Sequence, residues 1–377
     1  MKIVPFAMER WQSTWEHTVD FNLSESGVQP MSLRDLLGDD AATQPFLSTP
    51  LAYPQGNGSA ELRSLIAGMY RGATPDHVLV TNGSSEAILV ALWHLVENGD
   101  EVVVMLPNYM EAWGLVQMFG GKVKPLPLRE DLGWQFDPDD LASAVTRKTK
   151  AIAICNPDNP TGAVMNAPQR GALLDAARDS GAWLLADEVY IGAEREAPRT
   201  ESVWGVHDKT LITNGLSKAY ALPGLRVGWL VGPPPTISAL WGYHDYTTLT
   251  PTALSDRLAR IALAPDRRES ILARTRAILQ ANYPIVRAWI EKHGSLFSHV
   301  APTAGAICFL RYALDINSSE LANRLRTEKS TLIVPGDQFG MDGFVRIGMG
   351  NTKGHLVGGL DRIDSFLREV KAGRRAA

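Results

Sequence analysis

A lysine, Lys218, stands between an apolar run and a Pro/Gly turn in "NGLSKAYALPGLRVGW", residues 214–229. A solvated surface lysine is the ordinary reading, but an amine at a strand end can also act as a nucleophile or base. Asp187 closes the apolar run Ala182 to Ala186, where an unpaired carboxylate is costly. It therefore needs a partner, and a helix cap, a salt bridge or the protonated ring nitrogen of a cofactor would each serve. Tyr190, three positions on, and Asn159 in "NPDNPTG" could reach a hydroxyl on the same ring, although the two Asn-Pro pairs also read as a plain turn. The stretch "TNGSSEAI" runs from a strand through Gly83 into a helix opened by Ser84 and Ser85. Free backbone N–H groups and two hydroxyls there suit an anion, or else form a simple N-cap with Glu86 in the first turn. Ser217 and Arg226 could bring a hydroxyl and a charge to the same anion. Together these residues read as a phosphate cradle.

Such residues need a frame that gathers strand ends on one rim. From about residue 60 to 235, short apolar runs alternate with helix-length amphipathic segments, the pattern of an α/β sheet. "HVLVTNG", "DEVVVMLP", "AIAICNP", "WLLADEVY", "KTLITNG" and "VGWLVGP" read as strands, each ending at Pro, Gly, Asp or Asn. Ligands of open α/β sheets bind beyond the carboxyl ends of the strands, where these polar residues collect. A long helical stretch over about 236–295 leads into "AICFLRY", "STLIVPG" and "GFVRIGMG", which predict a smaller α+β domain. The expected division is an N-terminal segment, 1–45, packing on the small domain or the rim; a large domain, 46–280; and a small C-terminal domain, 281–377. The first 40 or so residues show no strand neighbours of their own.

Composition narrows the function classes. A formal charge of −4 and a pI near 6.1 offer no basic field for nucleic acid or lipid, and the one short cationic run is the C-terminal "KAGRRAA". Cys155 and Cys308 both sit in apolar runs and read as buried free thiols, with no metal cluster or disulfide framework implied. No segment has the length and apolarity of a membrane span or a secretory leader, so a cytoplasmic protein is expected.

In order and spacing, "NPDNPTG", "ADEVY" and "SKAYALPGLRVGW" resemble the pyridoxal-phosphate (PLP) aminotransferases of class I/II, fold type I. The resemblance runs from "YPQGNGSAELR" to "FVRIGMG" and implies a mainly parallel central sheet in a large domain plus a smaller α+β domain. It implies Lys218 as the lysine that forms the Schiff base with PLP and Asp187 as the partner of the pyridine nitrogen. Asn159 and Tyr190 would hold the ring oxygen, and Tyr109 of "LPNYMEAW" would stack on the ring. Ser84, Ser85, Ser217 and Arg226 would bind the phosphate, and Tyr53 would reach the phosphate of a second subunit, so a homodimer is expected. Arg346 resembles the arginine that clamps the substrate α-carboxylate. One departure stands out: the family often has Ser or Thr three positions before the lysine, and here that position is Gly215.

The implied activity is transfer of an amino group from an amino acid to a 2-oxo acid by an aldimine/quinonoid route. PLP can also support oxidation, cyclisation or elimination, and the N-terminal "ERWQSTWEHTVDFNLSESGVQP" and "YHDYTTLTP" resemble a subgroup that includes capreomycidine synthase-like and arginine-oxidising enzymes. If Glu16 and Asp245 both face the entrance of the site, it favours a cationic side chain such as that of arginine; as isolated acids they read equally as a solvated helix residue and a turn residue. A regulator's ligand-sensing domain is disfavoured because no helix-turn-helix pattern precedes the motifs, and a dehydrogenase because no G-x-G-x-x-G follows a strand.

Overall fold

Strands made of uninterrupted apolar runs can be buried on both faces only in the middle of a layered α/β sheet. Val102, Val103 and Val104, Ala151 to Ile154, and Leu184 to Ala186 are such runs, and all are buried. The computed structural model describes residues 3–38, 40–196 and 198–376, with the backbone alone for 40–42 and 371–376. The side chains of the basic C-terminal run thus lie outside the described residues.

An eight-stranded sheet is the frame of the molecule. From edge to edge it runs Val78–Thr81, Gly228–Val231, Thr210–Gly215, Trp183–Asp187, Thr149–Cys155, Glu101–Leu106, Lys122–Arg129 and Gln135–Phe136. Pairings from Thr210–Gly215 through to Lys122–Arg129 are parallel, while Gly228–Val231 lies antiparallel to both its neighbours. Lys122–Arg129 is a strand that the apolar-run reading passes over, because lysines and two prolines interrupt it. Pro125 and Pro127 are tolerated there since the far side of the strand is paired only at Leu128 and Arg129.

A second, four-stranded antiparallel sheet has the order Phe297–His299, Ile307–Tyr312, Phe344–Gly348, Val334–Pro335. The helix Pro265–Lys292 runs between the two cores. Its Ile271, Leu272 and Leu279 pack with the large sheet, and its Tyr283, Val286, Trp289 and Ile290 pack with the small one. The N-terminal segment does have a strand neighbour, contrary to the sequence reading: Phe21–Asn22 pairs in parallel with Thr331–Leu332. Two residues are too short a run to leave a periodic signal. The same segment supplies Met8 and Val28 to the first core and Leu23 to the second.

Close backbone approach brings the strand ends together. A Cβ on Gly228 would lie 2.3 Å from the carbonyl carbon of Gly83 and 2.4 Å from the Ser84 nitrogen, so only glycine lets this strand meet the turn that opens the helix Ser84–Leu95. Among the described residues no helix is long and apolar enough to cross a membrane. Gly228→Ala is expected to cost about 1–3 kcal/mol through forced overpacking, read as a lower denaturant midpoint. An unchanged midpoint would show that the turn can move away freely.

Candidate active site

A parallel strand ending at the rim delivers its last side chain to whatever lies beyond the sheet. Asp187, Asn159 and Tyr190, together with Ser84, Ser85, Ser217, Lys218 and Arg226, all border one cavity of about 280 Å³ there. Tyr109 borders it too, after the strand Glu101–Leu106.

The anion-seeking side of the cavity is built by backbone geometry. Gly83 is the N-cap of the helix Ser84–Leu95 and adopts a φ of 95°, a left-handed region open to glycine. A Cβ there would fall 2.3 Å from Arg226 Nη2, so the missing side chain is the space the guanidinium occupies. Arg226 Nη1 donates to the Ser217 hydroxyl at 3.4 Å and to the Pro223 carbonyl at 3.1 Å. Free helix N–H groups, the Ser84, Ser85 and Ser217 hydroxyls and a guanidinium border the same cavity, a set of donors that suits an oxyanion. Gly215 has a packing reason: a Cβ at that position would lie 2.9 Å from the Val227 carbonyl oxygen and 3.3 Å from Gly228 Cα. A serine or threonine hydroxyl cannot be placed there without moving the neighbouring strand.

Opposite the cradle, the charges are coupled. Burial pushes the Asp187 carboxyl up to about 6, against the hydrogen bonds from Thr213 Oγ1 at 3.2 Å and the Val189 N–H at 3.3 Å. Both reach Oδ1, whereas Oδ2 faces only the Cys155 thiol at 3.9 Å. A buried carboxyl held this way is relieved by a cation, which a protonated ring nitrogen provides. Lys218 Nζ donates to Glu25 Oε1 at 2.8 Å. Burial works to lower the ammonium, but Glu25 and Tyr190 outweigh it and leave Lys218 above its ordinary value. The Lys218 charge in turn holds Glu25 down to about 2.

Tyr190 Oη donates to Ser26 Oγ at 3.0 Å, and burial raises the phenol to about 12. Arg346 is 1 % exposed and does not itself border the cavity; it stands behind Asn159, donating from Nη1 to Asn159 Oδ1 at 2.8 Å and from Nη2 to the Ser24 carbonyl at 2.6 Å. Its Nε is buried and has no hydrogen-bond partner among the described residues. Tyr109 Oη donates to Glu9 Oε1 at 2.5 Å.

Tyr53, expected at the phosphate of a second subunit, and Asp245, expected at the entrance of the site, lie on the surface of this chain. Tyr53 is 87 % exposed, and Asp245 is the exposed C-cap of the helix Pro234–His244. Neither borders this chain's own cavity. Glu16 does border it, and burial raises its carboxyl. Glu9, Glu25 and Glu111 also border the cavity and had no signal in the sequence. Glu9 meets Tyr109 across 100 positions, a contact that only folding creates. Glu111 has a buried, unpartnered Oε2, and burial together with Asp187 and Glu9 raises it well above the carboxylate range.

Residues 48–363 match the family model for aminotransferase class I and II. The chain belongs to the class I and II aminotransferases. It is 32 % identical over 374 residues to capreomycidine synthase of Streptomyces vinaceus, covering 98 % of this chain and 95 % of that one. It is 29 % identical to an aspartate aminotransferase of Streptomyces avermitilis, over 85 % and 82 % of the two chains. Among solved structures, a PLP-dependent aminotransferase from Streptococcus suis superposes with a TM-score of 0.92 at 32 % identity, covering 98 % and 99 %. A PLP-dependent cyclase, OrfR, superposes at 0.90 and 29 %, covering 98 % of each chain. The fold is thus the fold type I architecture and the family cofactor is PLP. The cavity fits that cofactor by its own chemistry: an oxyanion cradle at one side, a carboxylate seeking a cation, and an amine.

The Glu25–Lys218 pair of this class I/II chain yields a pH prediction for the cofactor-free protein. Glu25 is depressed from 4.5 to about 2, so its contribution is complete above 4.5 and is lost as pH falls towards 2. Lys218 is raised from 10.5, so its contribution is present below 10.5 and is lost above that as it deprotonates. Glu25 is partly open to solvent, and Glu25→Gln should therefore cost only about 1 kcal/mol between those limits, with the difference closing near pH 2. Urea midpoints of the two proteins against pH check this; a constant difference down to pH 2 would assign the effect to packing.

Proposed function

We propose that the chain is a PLP-dependent aminotransferase that moves the amino group of an amino acid with a cationic side chain to a 2-oxo acid. The observation that carries the reading is that Lys218 and Asp187 face one cavity together with the oxyanion cradle. When bound, PLP accepts the amino group and acts as the electron sink that makes the substrate Cα–H acidic.

The chain's own residues supply the rest. Ser84, Ser85, Ser217 and Arg226 would hold the phosphate, and Asp187 would keep the proton on the ring nitrogen. Asn159 and Tyr190 donate to the ring oxygen, and Tyr109 packs on the ring. Lys218 Nζ would serve as the general base that takes and holds the substrate Cα proton. Glu25, 2.8 Å away, steadies the charge that this proton creates on the lysine. Arg346, held by Asn159 and the Ser24 carbonyl directly behind the cavity, would exchange those bonds for the substrate α-carboxylate.

A second copy of the chain completes the site in this reading. Leu47, Leu51, Tyr53, Tyr246, Leu249 and Leu254 are large apolar side chains left exposed. Their two segments meet, since a Cβ on Gly56 would lie 3.1 Å from the Leu249 carbonyl oxygen. Covering this patch with a partner subunit would hide it from water and bring that subunit's Tyr53 and Asp245 to this cavity.

The cationic side chain is supported by the acids at the mouth. Glu9, Glu16 and Glu25 border the cavity on the N-terminal segment, and a guanidinium matches carboxylates in charge and geometry. The similarity to a capreomycidine synthase over 98 % of the chain, and to a PLP-dependent cyclase, supports a second reading in which a cationic amino acid is cyclised and no oxo-acid acceptor is consumed.

Three outcomes test the proposal. Borohydride reduction of the PLP-loaded enzyme should label the peptide containing Lys218; label on another lysine overturns the assignment. Asp187→Asn should keep bound cofactor and lose most turnover, because a neutral amide cannot hold the ring nitrogen protonated; near-normal rates would refute its role. Arginine and norleucine, offered with and without 2-oxoglutarate, in air and without oxygen, separate the chemistries by mass spectrometry. Transamination requires the acceptor, oxidation requires oxygen, and cyclisation requires neither. The wild type should prefer arginine by about ten- to a hundred-fold, and Glu16→Gln and Asp245→Asn should each reduce that ratio. An unchanged ratio in both variants removes the cationic-substrate reading.

A further inference from the structure

Behind the strand ends lies a second cavity, about 310 Å³, that the chemistry above does not use. Neighbouring residues at a strand end face opposite ways. Asp187 borders the cofactor cavity, while Glu188 borders the second one. The loop that carries Lys218 is divided in the same manner, with Lys218 on one side and Tyr220 on the other.

The second cavity is lined by buried polar groups whose hydrogen-bonding capacity is not used up. Glu188 is 2 % exposed, and its Oε1 accepts from Ser202 Oγ and the Val203 N–H, both at 2.9 Å. Its Oε2, the Thr200 hydroxyl and Arg268 Nε are buried and have no hydrogen-bond partner among the described residues. Tyr70 Oη accepts from Trp229 Nε1 at 3.1 Å, which leaves its own proton to give. Arg199 and Arg268 approach Glu269 only at 3.7 and 3.6 Å, too far for good hydrogen bonds, so both guanidinium groups keep donors in hand.

We propose that this cavity is a separate binding site for a small oxyanion, a carboxylate or a phosphate, held by Arg199, Arg268, Thr200 and Tyr70. An anion accepts from every one of these groups, whereas an amine meets two guanidinium ions. Burial raises Glu188 to about 7, so the acid is a donor below that pH and a repelling charge above it. The groups that face it are Asp187 on its own strand, Arg170 from the helix Ala167–Ser180, and the Ser202 and Val203 donors. Tyr70, after the helix Ala60–Ala67, and Arg199 and Arg268 across the cavity complete its surroundings.

The test uses PLP-loaded enzyme fixed by borohydride, in which the cofactor occupies the first cavity's cradle. Sulfate, inorganic phosphate and succinate are titrated by calorimetry at constant ionic strength. One saturable site per chain is expected, weakened about tenfold or more by Arg268→Gln, and the tighter of phosphate and succinate identifies the natural ligand class. Sulfate keeps its charge from pH 6 to pH 8, so its binding should weaken over that interval in the wild type and not in the near-isosteric Glu188→Gln, whose fold is checked by retained cofactor. Absence of saturable binding by all three anions overturns the proposal. So does binding that survives both Arg199→Gln and Arg268→Gln, or binding that Arg346→Lys removes while Arg268→Gln leaves it, since that heat belongs to the first cavity.

Discussion

A carboxylate turned into a cavity at the end of a parallel strand sets the terms for everything around it. Asp187 is pushed up to about 6 by burial and has one oxygen with only a distant thiol for company. Removing that stress by hydrogen bonds alone would have required more donors than Thr213 and Val189 provide. The remaining demand is for positive charge, and the far side of the same cavity, a helix N-terminus beside Arg226, calls instead for an anion. Two opposite local fields thus share one rim.

The N-terminal segment is the second structural condition. Its residues enter both cores, pair as a short parallel strand with Thr331–Leu332, and pass directly over Lys218. Gly27 lies so near that a Cβ would stand 3.6 Å from the Lys218 side chain. This segment brings Glu9, Glu16 and Glu25 to a cavity whose floor already holds Asp187 and Glu111. A site so rich in carboxyl groups is stable only if some are neutral or paired: Glu111 is raised well above its ordinary range, while Glu25 is ionised against Lys218.

The two faces of the strand Trp183–Asp187 and its continuation divide two kinds of chemistry without a domain boundary between them. One face meets the cofactor cavity through Asp187 and Tyr190, and the other meets the donor-rich cavity through Glu188. Alternation of side chains along an extended backbone is enough to keep two buried carboxyls of adjacent number in separate surroundings.

Much of this was legible in the chain itself, because the motifs are local. The apolar runs predicted the central strands, and Lys218, Asp187, Asn159 and Tyr190 are visible where runs end, since strand ends must release polar residues to the rim. Lys122–Arg129 was not legible, because its prolines and lysines hide a strand that depends on its neighbour. Nor was Glu9, whose partner Tyr109 is 100 positions away, or Glu25, whose bond to Lys218 spans 193. Gly215 shows the division plainly. Its identity is read from the sequence, but the reason it is glycine lies in the carbonyl of Val227, which reaches that spot only when two antiparallel strands have paired. Local backbone preference and hydrophobic pattern act over a few residues, whereas electrostatic partners are chosen by distance in space, and that distance exists only after the chain has folded.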